Sequence, residues 1–138
     1  MKESLQEIAL KWFRQAEYDL RDADLALKWG SFNLSCFLSK QSAEKAMKAL
    51  LLYHGYEVVR GHSVGALCEL IVSREPDFSN LVSASKWLDK FYIPTRYPDA
   101  LPDRAIPSEV YDREDVERAL AKARKILDAV KKKIFGAN

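Results

Sequence analysis

From Ser31 to His54 the chain runs without a glycine or a proline, between Gly30 and Gly55. Alanine, leucine, lysine, methionine and glutamate dominate its second half, residues whose side chains lose little freedom on a helix. An α-helix is therefore expected over this whole stretch, with Ser31 at its cap and Gly55 at its stop. A helix this long is stable in water only if other elements cover its apolar side. Its neighbours in sequence must supply that cover.

The flanking segments carry the same periodicity. Ser4 and Glu7 have capping-box spacing. Leu5, Ile8, Trp12, Ala16, Leu20, Ala23 and Leu27 then recur at three- and four-residue steps, one face of an amphipathic helix that ends at Gly30. Ser63 is placed to cap a shorter helix through Arg74, stopped by Pro76. A fourth helical segment is expected over 78–92. Pro94, Pro98, Pro102 and Pro107 then break regular structure between Ile93 and Tyr111. Asp112 and Asp115 open a last helix with the stripe Val116, Leu120, Ala123, Leu127, Val130 and Ile134, and Gly136 closes it. Acids crowd its start and Lys131, Lys132 and Lys133 its end, both favourable to the helix dipole. The lysine run thus reads as a solvated helix end. Strand alternation is nowhere convincing, and Tyr56–Arg60 reads as a loop. The fold class that follows is all-α: an up-and-down antiparallel helical bundle of about five helices, with a long proline-rich loop before the last helix.

A length of 138 residues suits one domain, so residues 1–138 are taken as a single unit. Because 48% of the residues are hydrophobic and 30% charged, the chain reads as globular rather than disordered. No apolar run is long enough for a membrane span, and the N-terminal residues have no signal-peptide core, so a cytoplasmic location is expected. Cys36 and Cys68 read as two buried thiols in a reducing compartment. With His54 and His62 the only histidines, no zinc pattern exists, and neither a metal nor a cofactor is expected. A net charge of +2 does not argue for nucleic acid by itself.

Three places carry candidate chemistry. On the Ser31–His54 helix, Phe32, Cys36, Ala43, Ala46, Met47, Leu50 and Tyr53 form the core face. The opposite arc is apolar at its ends (Leu34, Phe37, Leu38, Leu52) and polar in the middle (Gln41, Glu44, Lys45, Lys48). Two readings stay open. Glu44 and Lys48 form an i,i+4 pair worth about 0.2–0.5 kcal/mol, or the arc meets a second subunit and its polar band lines a site there, with the lysines as point charges for phosphate. At Gly61-His62-Ser63, a helix start offers amide donors to an anion; equally, Gly61 permits a turn that His62 orders. In Thr95-Arg96-Tyr97-Pro98-Asp99, Arg96 and Tyr97 can hold a phosphate and stack a base, or pin the loop to the bundle. Walker, GxSxG, HExxH and Rossmann patterns are absent.

Taken together, Trp12-Phe13-Arg14-Gln15-Ala16-Glu17-Tyr18-Asp19-Leu20, Cys36 to Leu51 and Gly61-His62-Ser63 resemble the HEPN family, the nucleotide-binding domain of prokaryotes and higher eukaryotes. The Thr95–Asp99 loop also looks like the corresponding family segment. The resemblance implies a five-helix bundle, commonly a homodimer. It also implies one of two roles. Some members pair with a small nucleotidyltransferase-like protein in a toxin–antitoxin type system; others are metal-independent RNase toxins with an Arg four to six residues before a His. Here the linear motif is missing, since Arg60 lies only two residues before His62.

The leading expectation is therefore a non-catalytic module that binds a nucleotide (ATP or GTP) or a partner protein, with Gln41, Lys45, Lys48, His62, Ser63, Arg96 and Tyr97 as phosphate and base contacts. The alternatives are an RNase acting on RNA through His62 and Arg96, and a purely structural interaction subunit.

Overall fold

The computed structural model of the chain describes residues 3–57 and 59–136. Met1 and Lys2 at the start, and Val58 within the expected Tyr56–Arg60 loop, lie outside the described residues. Three long elements form the frame: α1 (Leu5–Lys28), α2 (Phe32–Tyr53) and α6 (Arg113–Phe135). Between α2 and α6 come α3 (Val64–Val72), α4 (Val82–Leu88) and the single turn α5 (Pro107–Val110), with 3-10 turns at Pro76–Leu81, Asp89–Phe91 and Pro98–Ala100. Among the described residues there is no strand, and no helix is long and apolar enough to cross a membrane. The all-α bundle expected from periodicity is the fold observed.

Cross-helix contacts give the directions. Ser35 Oγ donates to Ala23 O at 2.6 Å and the Lys48 ammonium lies 5.6 Å from the Trp12 ring, so α2 runs back along α1. Arg124 pairs with Asp24 at 3.1 Å and Lys131 with Glu17 at 3.9 Å, so α6 is also antiparallel to α1. Consequently α2 and α6 run the same way, and the α3–α4 region carries the chain back between them.

The ends follow from local chemistry. Ser4 Oγ accepts from Glu7 N at 3.1 Å. Asp112 and Asp115 complete a reciprocal capping box at 2.8 and 3.0 Å. Gly30 takes φ +78°, and Ser31 N folds back onto Ala26 O at 2.8 Å to close α1. Ser31 itself caps nothing with its side chain, unlike the expectation; its backbone is spent on that turn. The expected helix over 78–92 is broken into a 3-10 turn, α4 and a second 3-10 turn, because Pro76 sets a tight start with Phe78 and Leu81 turned into the core. One buried cluster joins Phe13, Met47, Leu50, Ile71, Phe91 and Leu120 with their neighbours.

The proline-rich loop is tied down by hydrogen bonds. Asn33 Nδ2 donates to Thr95 O at 3.0 Å, and the buried Thr95 hydroxyl donates to Phe91 O at 2.6 Å. These two bonds fix the loop against the start of α2 and so set the position of Arg96 and Tyr97.

Candidate functional site

At the start of α3, Ser63 caps as expected, its Oγ accepting from Ala66 N at 3.1 Å. The anion position beside it is filled from within the chain. Asp89 accepts from Val64 N at 2.7 Å, from Gly65 N at 3.0 Å and from the Ser63 hydroxyl at 2.8 Å. A carboxylate at a helix N-terminus satisfies free amides and the dipole together. Ser63 and these amides are therefore engaged by Asp89. Gly65 allows the approach, since a Cβ there would stand 2.6 Å from Lys86 Cγ and 3.2 Å from Asp89 Oδ2.

Directly before this cap lies a buried ionic cluster. Lys40, at 0% exposure, donates from Nζ to Glu44 Oε1 at 2.6 Å and to the His62 carbonyl at 2.5 Å, and lies 4.2 Å from the centre of the Tyr92 ring. The other oxygen of Glu44 lies 2.9 Å from Lys48 Nζ and 3.2 Å from His62 Nδ1. Burial alone would raise the Glu44 pKa; hydrogen bonds from Lys40 and Lys48, with their charges, outweigh it and hold the group below its ordinary value. Glu44 is thus a carboxylate with cations on both sides.

These contacts decide the two readings of the α2 arc for part of its length. Glu44, Lys48 and Leu52 are buried inside the protomer, so the polar band is no continuous outer face. Lys48 is held by Glu44, and Lys45 is held by the largely buried Asp19 at 2.5 Å. Lys45 and Lys48, the two lysines expected to contact phosphate, thus each have an acid partner within the chain. Gln41 remains at the half-buried edge, its side-chain oxygen without a hydrogen-bond partner among the described residues. Leu34, Phe37 and Leu38 stay wholly or partly exposed along the same side of α2.

Above the ionic cluster is a platform of rings and cations. The His62 ring stacks on Tyr92 with centroids 4.9 Å apart and planes 22° from parallel. The Arg96 guanidinium lies 4.9 Å from the Tyr92 ring centre, 4.5 Å from that of Phe37 and 5.0 Å from that of Tyr97. Its Nε donates to Tyr92 O at 2.9 Å, and among the described residues no carboxylate comes within 4.0 Å of it. His62 and Arg96, far apart in sequence, thus share one tyrosine. The His62 side chain is 59% exposed and Tyr97 is 49% exposed. The Nδ1 contact to Glu44 orients the imidazole and leaves Nε2 for other partners. An exposed guanidinium and imidazole beside an open tyrosine can receive a phosphate and a base.

Sequence reasoning missed Lys40, Asp19, Asp89 and Tyr92. The Lys40–Glu44 spacing of one helical turn was a usable signal; Asp19, Asp89 and Tyr92 gave none, because their partners lie on other elements. Among the described residues no group of three His, Cys, Asp or Glu side chains is placed to hold a metal ion.

Comparison with solved structures returns this bundle. The chain superposes on TT1696 from Thermus thermophilus with a TM-score of 0.80 and 41% identity, covering 91% of this chain and 97% of that one. It matches ST0689, described as an archaeal HEPN homologue, with a TM-score of 0.75 and 38% identity over 97% of this chain and 99% of the other. An HEPN domain protein of Thermotoga maritima, tm0613, aligns with a TM-score of 0.72 and 30% identity over 92% of this chain and 99% of that one. In sequence, the chain is 29% identical over 128 residues to "Putative toxin MJ1304" of Methanocaldococcus jannaschii, covering 87% of this chain and 84% of the relative. The HEPN domain model matches residues 9–133, from the first buried turn of α1 into the last turn of α6, and the chain belongs to the HEPN domain family.

Proposed function

We propose that this chain is a toxin-type HEPN module that binds a nucleotide on the His62–Tyr92–Arg96 platform. The observation that carries the reading is the convergence of His62 and Arg96 on one tyrosine ring, with no carboxylate among the described residues paired to the guanidinium. ATP or GTP would place a phosphate on Arg96 and His62 and its base against Tyr97. The toxin-type role is supported by the name of the M. jannaschii relative; a nucleotidyltransferase-like partner protein is a further part of the proposal.

The module works as a homodimer in this reading. Leu34, Phe37 and Leu38 on α2, with Ile93 beside the loop, form an apolar strip next to the platform. Pairing two such strips would bury that surface and bring two platforms together.

Titration calorimetry with ATP and GTP tests the binding claim. Heat of binding is expected for the wild type and its loss in Arg96→Ala. Lys45→Ala, which removes only the Asp19 pair, should bind as wild type. Absence of heat at millimolar nucleotide removes the reading.

A second reading, RNA cleavage without a metal, has one observation in its favour. Glu44 holds His62 through Nδ1, so Nε2 is available for proton transfer while Arg96 stabilises charge on phosphorus. It predicts growth arrest on expression that His62→Ala abolishes. Harmless expression together with intact RNA excludes it.

A further inference from the structure

Beneath the platform sits a charge that a ligand cannot touch. Lys40 projects from the middle of α2 with 0% of its side chain exposed, so its ammonium acts through the groups packed on it. Those groups are the parts of the platform. Nζ donates to the His62 carbonyl at 2.5 Å and to Glu44 Oε1 at 2.6 Å, and lies 4.2 Å from the centre of the Tyr92 ring. Glu44 in turn meets His62 Nδ1 at 3.2 Å through its other oxygen. Lys40 therefore holds His62 at two points, the main chain directly and the ring through Glu44. It also contacts the ring on which His62 and Arg96 meet.

The stretch that carries His62 has little else to fix it. Among the described residues, the main chain from Val59 to His62 makes no hydrogen bond with other main chain. Gly61 takes φ +92°, and His62 beside it is exposed. Regular structure resumes only with the Ser63 cap. Lys40 is also more than a counter-charge. Lys48 lies 2.9 Å from Glu44 Oε2, so Glu44 keeps a cation without Lys40. What an apolar side chain at position 40 would not supply is the donor to the His62 carbonyl and the cation at the Tyr92 ring.

We propose that Lys40 is the positioning residue of the nucleotide platform: it fixes His62 and Tyr92 in the geometry that receives the ligand, without contacting the ligand itself. The role rests on the nucleotide-binding reading of the platform. Its basis is preorganisation. A site whose groups are already held in place loses less affinity to ordering them, and an exposed imidazole on a loop without main-chain bonds has the most to lose.

The test compares the full chain with Lys40→Met and with Val130→Ala, a truncation in the buried core of α6 that lowers stability away from the platform. The first readout is the NMR spectrum of the His62 imidazole without ligand. In the wild type the Tyr92 ring current should displace its ring-proton signals, and the Glu44 carboxylate should keep the proton on Nδ1. Lys40→Met should move these signals toward those of an unstacked imidazole and leave the His54 signals in place, whereas Val130→Ala should leave the His62 signals unchanged. The second readout is ATP affinity by calorimetry, which Lys40→Met should weaken about tenfold and Val130→Ala should not. Lys40→Gln, whose side chain stays polar, carries the same comparison if Lys40→Met does not fold by circular dichroism. Unmoved His62 signals, undiminished ATP affinity, or an equal loss in Val130→Ala overturns the role and leaves the platform reading standing. Absence of ATP binding by the wild type overturns both.

Discussion

Lys40 Nζ lies 2.6 Å from Glu44 Oε1, and neither side chain reaches solvent to more than 5%. Removing one partner of a buried pair leaves the other charge desolvated and alone, which costs about 3–5 kcal/mol. Glu44 serves two cations, Lys40 and Lys48, and Lys40 serves one acid. Glu44→Ala is therefore expected to lower stability by about 3–5 kcal/mol, and Lys40→Met by less, because Lys48 still neutralises Glu44. Urea unfolding midpoints of the two variants check the order.

The same cluster gives the chain a defined acid limb. The Glu44 pKa in the folded state is held below the ordinary 4.5. A depressed carboxylate contributes stability that is complete above its unfolded value and fades as pH falls through its folded value. The stability difference between wild type and Glu44→Gln should therefore be constant near neutral pH and shrink below about pH 4.5. A difference unchanged down to the lowest pH at which both fold would contradict this.

Gly65 is fixed by space. A methyl group at that position would press Lys86 Cγ at 2.6 Å and approach Lys86 Cα at 3.3 Å. Overpacking of this kind costs about 1–3 kcal/mol. Gly65→Ala should lower the melting temperature, and adding Lys86→Ala should restore part of the loss, because it removes Cγ but leaves Cα in place.

Cys36 and Cys68 are both free and buried, as composition predicts. Burial first, and then the charge of Asp115, push the Cys36 thiol up to about 12, and burial also raises Cys68. Thiolate is the reactive form. Ellman's reagent at mildly alkaline pH should label neither cysteine in the native chain and both after denaturation. Rapid labelling of the native protein would show that the core opens locally.

What the sequence disclosed depended on range. The frame was legible because it rests on local rules: the 3.6-residue stripe of α6, the Asp112–Asp115 box, the Ser63 cap and Gly30. The breakup of 78–92 was not, since Phe78 and Leu81 turn inward to meet α3 and α6 across the bundle. For the site, His62, Arg96 and Tyr97 were identifiable as residue types in suitable loops, but their meeting point, Tyr92, is defined only by packing. Periodicity placed Glu44 and Lys48 on an outer arc; in the folded chain Lys40, the His62 loop and Trp12 cover that part of α2. Lysines 45 and 48 looked available for phosphate because Asp19 and Glu44 announce their pairing only in three dimensions.

The central claim is that nucleotide binds at the His62–Tyr92–Arg96 platform. The chain has two histidines, and His54 lies elsewhere, 3.3 Å from Glu75, so it serves as an internal control. The direct measurement is a heteronuclear NMR titration of the two imidazoles and the Arg96 Nε–H with ATP. Binding at the platform predicts saturable shifts of the His62 ring and Arg96 signals with His54 unmoved, and loss of the His62 shifts in Arg96→Ala. Equal movement of His54 and His62, or no movement of either at millimolar ATP, would contradict it.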